Sequence, residues 1–136
     1  MPRSLATLYA DENLCGAGII SQCQAENIPL HPITKLIARS ASDEEVLRAI
    51  GAHRGSLLIT RDDDFLFRRV THAAMRAHRT GVFYIACAGT MSAGQVAALI
   101  IRHWPAMKRI AARMRRPFLY SLTKNVPRQH TITRDV

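Results

Sequence analysis

The sequence predicts an α/β protein, a three-layer α/β/α sandwich around a mostly parallel sheet of four or five strands. Two observations predict it: short apolar, strand-like runs alternate with helical stretches, and acidic residues gather where strands end or helices begin. Strands that alternate with helices imply right-handed crossovers and a parallel sheet covered on both faces. At 136 residues the chain is one domain in size.

The first half of the chain carries four of these elements. Residues 5–10 read as a buried strand, residues 14–26 as a helix, and residues 30–33 as a short strand, which two prolines place at an edge of the sheet. The helix over residues 42–53 is predicted by its apolar stripe and by a capping box, in which Ser42 starts the helix and Glu45 lies three positions on.

The second half continues the alternation. Residues 56–60 form a buried strand, residues 67–78 a helix, residues 82–86 a strand, and Ser92 caps a further helix that Pro105 must kink or end. Residues 107–116 are then helical again, and residues 118–123 alternate like an edge strand. We therefore expect one domain over residues 1–116, followed by a basic C-terminal extension over residues 117–136 with that strand and a flexible tail.

The charge of the chain favours a polyanionic partner. The net charge is +9, and nine of the nineteen basic residues lie from Arg102 onward against one acid there. Lys and Arg bind phosphates with release of condensed counterions, which favours RNA; a general basic bias of the source proteome is the alternative. No apolar run could cross a bilayer, the start has no signal-peptide pattern, and three cysteines indicate neither a disulfide framework nor a zinc site. A cytoplasmic location without membrane contact is expected.

The few acidic residues are concentrated. Eight of ten lie in three short groups: Asp11 and Glu12, Asp43 to Glu45, and Asp62 to Asp64. Two groups follow predicted parallel strands, and the third opens a helix that enters from the same side, so all three should meet at the carboxyl edge of the sheet. Taken singly, each group has an ordinary explanation as a helix cap, a charged first turn or an acidic surface turn.

Carboxylates that meet at one edge repel one another unless a cation lies between them. Magnesium and manganese prefer such oxygen ligands, and Mg²⁺ or Mn²⁺ held there can activate water and stabilise charge in phosphodiester hydrolysis. The sequence therefore predicts a divalent-metal site with a basic surface that attracts nucleic acid.

Three stretches resemble the PIN-like domain superfamily, and more narrowly the small PIN-like proteins related to VapC-type toxin ribonucleases. They are A-D-E-N-L at residues 10–14, S-D-E-E-V-L at 42–47 and L-I-T-R-D-D-D-F at 58–65, within a matching region of roughly residues 5–100. The resemblance implies a metal-dependent endoribonuclease, a hydrolase that is often the toxin of a toxin–antitoxin pair. It places the catalytic and metal-binding acids on Asp11, Asp43, Asp62 and Asp64.

The chain also departs from the usual family pattern. Larger PIN proteins carry a glutamate in the helical region after the first strand, where this chain offers only Glu26, too far along to reach the site. Glu12 or Glu44 is expected to substitute as a metal ligand, or a second metal site is weak. The alternative is a PIN-like module that binds RNA or a partner without catalysis.

Other residues complete the predicted site. Asn13 would orient a carboxylate ligand, and Thr60 would contact a metal-bound water. The RNA backbone would be contacted by Arg61, Arg68 and Arg69, unless these arginines simply lie in solvent. Phe65 reads as a core anchor for the acidic turn and Trp104 as a packing residue, and the six histidines read as surface or helix residues. The basic residues from Arg102 to Arg116 would face RNA or an acidic antitoxin; a homodimer is a further expectation.

A receiver-like phosphoacceptor domain is the main rival from another class, because it also gathers acids around magnesium. Such a domain needs a lysine at the end of a later strand, and here residues 82–86 lead into C-A-G-T instead. The sequence disfavours this alternative.

Overall fold

The computed structural model describes residues 6–14, 16–86 and 90–133, which form a six-stranded sheet in the order β2-β1-β3-β4-β5-β6. The strands are β1 (Thr7–Ala10), β2 (Leu30–Pro32), β3 (Ser56–Thr60), β4 (Gly81–Ile85), β5 (Phe118–Leu122) and β6 (Arg128–His130). The helices are α1 (Ala17–Ala25), α2 (Asp43–Ala52), α3 (Asp64–Phe67), α4 (Arg69–His78) and α5 (Ala93–Arg113), with short 3-10 turns at Glu12–Leu14 and Ile33–Lys35.

The helices cover both faces of this sheet, as predicted. Helices α1 and α5 pack on one face, and α2, α3 and α4 on the other. Successive residues of β3 show why: Leu57 and Ile59 lie in the first core, and Leu58 between them lies in the second. A strand buried on both faces is apolar at every position, which is the pattern that predicts a parallel sheet.

The sheet contains six strands rather than four or five. The first five strands pair in parallel, and β2 lies at one edge, where its prolines placed it. The additional strand β6 runs antiparallel to β5 at the other edge. Leu5 lies outside the described residues, and within them the first predicted strand begins at Thr7.

The strand at residues 118–123 is not an edge strand. It forms as β5, but β4 lies on one side of it and β6 on the other. All five of its residues are buried, because Phe118 and Tyr120 face one helical layer and Leu119 faces the other. The alternation of large and small residues therefore reflects packing on two faces, and the segment placed outside the predicted domain contributes to both cores.

Helix α5 also differs from its prediction, since it continues through Pro105 to Arg113 as one helix. Proline removes one backbone hydrogen bond from a helix interior. Pro105 is exposed, whereas Trp104 and Met107 beside it are buried in the core under α5. Burial of these apolar neighbours outweighs the lost hydrogen bond, and Trp104 is the packing residue that the sequence predicted.

Gly51 explains the close approach of α2 and α4. A Cβ atom at this position would lie 2.3 Å from the carbonyl oxygen of His78 at the end of α4. Glycine in a helix interior usually weakens the helix, and here it lets the second helix end against the first. Glu44 of α2 also contacts the ring of His78.

Two of the six histidines are buried, and both lie on helices, α4 and α5, which is one of the two kinds of position predicted for them. His72 is 1% exposed and His103 is 5% exposed. The ring of His72 bonds the carbonyl oxygen of Phe65 through Nε2 and accepts the N–H of Thr133 at Nδ1. The two rings can be buried because backbone groups satisfy both ring nitrogens of His72 and one ring nitrogen of His103. Sequence spacing does not reveal such pairings. Across the described ranges, no helix is long and apolar enough for a bilayer crossing.

Candidate metal centre

The acidic turn after β3 is held by its own side chains. Thr60 ends the strand, and its Oγ1 accepts the N–H of Asp62 at 3.0 Å. Asp62 in turn accepts the N–H of Asp64 at its Oδ1, also at 3.0 Å. These two local turns direct the chain from β3 into α3, and the buried ring of Phe65 anchors them in the core, as predicted.

The same threonine connects the turn to β1. The Thr60 hydroxyl donates to Oδ2 of Asp11 at 2.9 Å, and the N–H of Asp11 donates to the carbonyl of Ile59 at 3.0 Å. Thr60 is 0% exposed. The threonine therefore acts directly on a carboxylate, whereas the sequence had suggested contact with a metal-bound water. This bond fixes the Asp11 side chain relative to the acidic turn.

The third acidic group comes from the start of α2. Ser42 accepts the N–H of Glu45, whose side chain accepts the N–H of Ser42, so the predicted capping box forms. Asp43 is thereby placed in the first turn with its carboxylate toward the acidic turn. One oxygen each of Asp43, Asp62 and Asp64 lies within 4.8 Å of the others, and all three side chains are partly buried.

Burial and mutual repulsion act on Asp43. Desolvation is the largest cause that raises the pKa of its carboxyl group above the ordinary value, and the charges of Asp62, Asp11 and Asp64 raise it further. The guanidinium of Arg68 opposes these effects. A cation bound among these carboxylates would reduce the repulsion between them.

Asp11 belongs to the same electrostatic neighbourhood but not to the group of three. Burial is the largest cause that raises its pKa, and the Thr60 hydroxyl and the Glu12 N–H oppose that rise. The charge of Asp62 adds to the rise. The four predicted acids thus lie at one edge, with Asp43, Asp62 and Asp64 closest together and Asp11 behind them.

The spacing of the three carboxylates fits one hard divalent ion. Ligand oxygens about 2.1 Å from Mg²⁺ lie about 3 Å apart when adjacent and about 4.2 Å apart when opposite. Oxygens within 4.8 Å of one another reach this arrangement with small side-chain movements. An all-carboxylate donor set suits magnesium or manganese rather than zinc or copper.

Glu12 and Glu44 lie outside the group of three, and their part as metal ligands stays a prediction. Both oxygens of Glu12 accept the N–H of Ser40, at 3.0 and 3.1 Å. Glu44 pairs with Arg48 and with the ring of His78, which together lower its pKa, the His78 bond most strongly. Both carboxylates therefore have other partners, although Glu44 also lines a cavity with the three clustered aspartates. Glu12 instead holds the loop that leads into α2 and Asp43.

Glu26 lies at the opposite edge of the sheet, as the sequence indicated. It follows α1, whose start lies near the end of β1 and whose end leads into β2. The described residues place no glutamate among the clustered oxygens.

The predicted polar neighbours differ in their positions. Arg68 pairs with Oδ2 of Asp64 at 3.5 Å and lines a cavity of about 420 Å³ with the three clustered acids. Arg61 and Arg69 are both exposed. They are close in sequence to residues that line this cavity, but they do not line it themselves. Asn13 is exposed, and within the described chain no hydrogen bond joins its amide to a clustered carboxylate.

The sequence interpretation missed an apolar pair beside the site. Phe67 is 76% exposed and Val70 is 66% exposed, and Val70 lines the cavity. The chain is extended at Arg68, so the helix predicted over residues 67–78 begins at Arg69 as α4, and a separate short helix, α3, ends at Phe67 before it. The run F-L-F directly after the acidic turn contains a signal for this surface in the sequence. Its first phenylalanine, Phe65, is the core anchor, and its second, Phe67, is exposed.

Comparison with known proteins gave one match. A family model described as a PIN-like domain matches residues 7–87, the part of the chain that contains all three acidic groups. Searches of curated proteins and of solved structures gave no match.

Proposed function

Because the chain belongs to the PIN-like domain family, we propose that it is a divalent-metal-dependent ribonuclease that hydrolyses RNA phosphodiester bonds. PIN-like domains are commonly nucleases. The observation that carries the proposal is the group of Asp43, Asp62 and Asp64, whose oxygens lie within 4.8 Å of one another at the carboxyl edge of the sheet.

Each acid has a separate part in this proposal. Asp43, Asp62 and Asp64 would hold magnesium or manganese, and Asp11 would accept a hydrogen bond or proton from the attacking water. A bound divalent ion supplies Lewis-acid stabilisation of the phosphate and lowers the pKa of that water. Thr60 keeps Asp11 in place, and Glu12 keeps the α2 loop in place, so the carboxylates are positioned before substrate binds.

The edge of the cavity offers contacts for RNA. Arg68 is 61% exposed at its side chain and pairs only loosely with Asp64, so it is available to a phosphate next to the cleaved bond. Phe67 and Val70 present an apolar surface beside it, on which an unpaired base can stack. Arg61 and Arg69 add positive charge nearby. A single-stranded segment is the substrate that this combination favours.

The direct test is cleavage of a single-stranded RNA labelled at both ends. We expect the purified protein to cut it with Mg²⁺ or Mn²⁺, and to stop when EDTA is added and resume when the ion is restored in excess. Asp11→Asn should lose this activity while its circular dichroism spectrum stays that of the wild type. Cleavage that is undiminished in EDTA would show that the site has been assigned the wrong chemistry.

We further propose that the nuclease is the toxin of a toxin–antitoxin pair, neutralised by a partner protein. The support is the resemblance of its motifs to VapC-type toxins and the excess of basic residues that an acidic antitoxin segment would neutralise. Induced expression should arrest bacterial growth, and coexpression of a small adjacent gene should restore it. Growth that is unaffected by the active nuclease would remove the toxin role, and light scattering would test the expected homodimer.

A non-catalytic RNA-binding module is the second candidate. One observation favours it: no glutamate joins the three clustered aspartates in the described chain, and Glu12 and Glu44 are engaged elsewhere. Such a module would bind the labelled RNA equally in Mg²⁺ and in EDTA and would leave it intact. The cleavage assay therefore separates the two candidates.

A further inference from the structure

A second cavity lies at the amino edge of the sheet, away from the carboxylates. Arg79 ends α4 two residues before β4, and Arg116 lies two residues before β5. Strand β6 runs antiparallel, with His130 opposite Leu119, so Thr131 continues past the amino end of β5. These segments surround a cavity of about 570 Å³, which we call the arginine cavity; Arg76, Arg79 and Arg116 all line it.

The arginine cavity carries positive charge, with no acid among the described residues that line it. None of the residues that line it in the described chain is Asp or Glu. The ion pairs of the described residues are Arg48 with Glu44, Arg68 with Asp64 and His78 with Glu44, so none involves an arginine of the cavity. Gln129 and Thr131 add side chains that can donate hydrogen bonds.

Two of the arginines are held in unusual surroundings. The Nη1 atom of Arg76 is buried and has no hydrogen-bond partner among the described residues, a cost that proteins rarely leave uncompensated. Arg116 donates to the carbonyl of Ser56 at 2.7 Å and lies over the ring of Phe118, and burial lowers its pKa. Both positions keep a guanidinium fixed near the cavity without neutralising it.

The helix end accounts for only part of this arrangement. Basic residues commonly lie in the last turn of a helix, where they offset the negative end of its dipole, and Arg76 and Arg79 end α4. That explanation does not apply to Arg116, which comes from another segment, or to the unpaired nitrogen of Arg76. A ligand that brings negative charge would satisfy all three at once.

We propose that the arginine cavity binds a phosphate group. Guanidinium groups from two different segments approach it, and a tetrahedral phosphate presents several oxygens in different directions, whereas a carboxylate offers two oxygens in one plane. The volume lies in the range of small-molecule sites. The phosphate belongs either to a free nucleotide or to the backbone of an RNA chain, which share this chemistry.

The test is binding by the full chain in EDTA, where the carboxylate site has no metal and cleavage cannot contribute. Inorganic phosphate, 5′-AMP and a 2′-O-methyl RNA without terminal phosphates are titrated separately, with acetate as the carboxylate probe. We expect phosphate or 5′-AMP to bind, with affinity reduced about tenfold in Arg76→Gln and in Arg79→Gln. Binding of 5′-AMP without the oligonucleotide would identify a free nucleotide as the source; arginine-dependent binding of the oligonucleotide would identify the RNA backbone.

The control variant is Arg39→Gln, which removes the same charge from an exposed position before α2 and outside the cavity. Its affinity for the phosphate probes should match the wild type. Arg76→Gln should also keep or raise the thermal midpoint, because it removes an unpaired buried donor, whereas loss of a structural arginine would lower it. Equal weakening in Arg39→Gln, acetate binding as tight as phosphate binding, or no phosphate binding by the wild type would each overturn the proposal.

Discussion

At the carboxyl edge of the sheet three aspartates lie within 4.8 Å of one another, whereas at the amino edge three arginines line a cavity that has no acid among its described lining residues. The two edges are built differently. The aspartates come from a turn and a helix start whose caps are local, and the arginines come from segments that meet only because β5 and β6 complete the sheet. The comparison teaches that a site with local supports leaves a sequence signature, and one assembled from distant segments does not.

The strongest test of the carboxyl edge is Asp62→Asn. This change removes a charge from the group of three but keeps the oxygen that accepts the Asp64 N–H, so the turn should persist. Metal-dependent cleavage should fall about 10²–10³-fold, measured by single-turnover kinetics. Arg54→Gln, which removes an exposed charge between α2 and β3, should cleave at the wild-type rate; survival of cleavage in Asp62→Asn would show that these carboxylates are not the reactive centre.

Thr60→Val tests whether Asp11 must be held in place. Valine keeps the shape of the buried side chain but removes the hydroxyl that donates to Asp11 and accepts from Asp62. We expect about 1–3 kcal/mol of lost stability and about a tenfold lower single-turnover rate at saturating RNA. Thr60→Ser restores the hydroxyl and should recover the rate, whereas equal rates in the valine and serine variants would argue against positioning by this bond.

Phe67→Ala tests the apolar contact beside the acids. The side chain is 76% exposed, so its removal should leave the thermal midpoint unchanged. If a base stacks on it, KM for single-stranded RNA should rise about fivefold with little change in kcat. Val126→Ala is the matched control, because Val126 is 79% exposed and lies between β5 and β6, far along the chain from the acidic turn; the same KM in both variants would exclude stacking at Phe67.

The smallest expected effects are shifts in thermal midpoint that separate the two edges. A saturating divalent ion that binds only the folded state should raise the midpoint by several degrees. That shift should disappear in Asp43→Asn and persist in Arg76→Gln, while the shift caused by phosphate should disappear in Arg76→Gln and persist in Asp43→Asn. Loss of both shifts in one variant would mean that the two edges are not independent sites.

Much of the fold was predictable because the deciding forces are local. The capping box at Ser42 predicts a helix start, and the continuous apolar run of β3 predicts a strand buried on both faces. Both predictions need only a few neighbouring residues. The grouping of acids at strand ends predicted their shared edge. The inner position of β5 was not predictable, because it depends on pairing with β6, a strand of three residues that comes later in the chain.

The sequence by itself determined the alternation of strands and helices and the carboxylate chemistry of Asp11, Asp43, Asp62 and Asp64. Only the tertiary structure decided which of them meet, that Glu12 binds the Ser40 N–H instead, and that Arg76 and Arg116 line one cavity. The physical reason is distance along the chain. Residues a few positions apart are held by caps and turns, but groups far apart in the chain meet only when burial of the core fixes the layers around them.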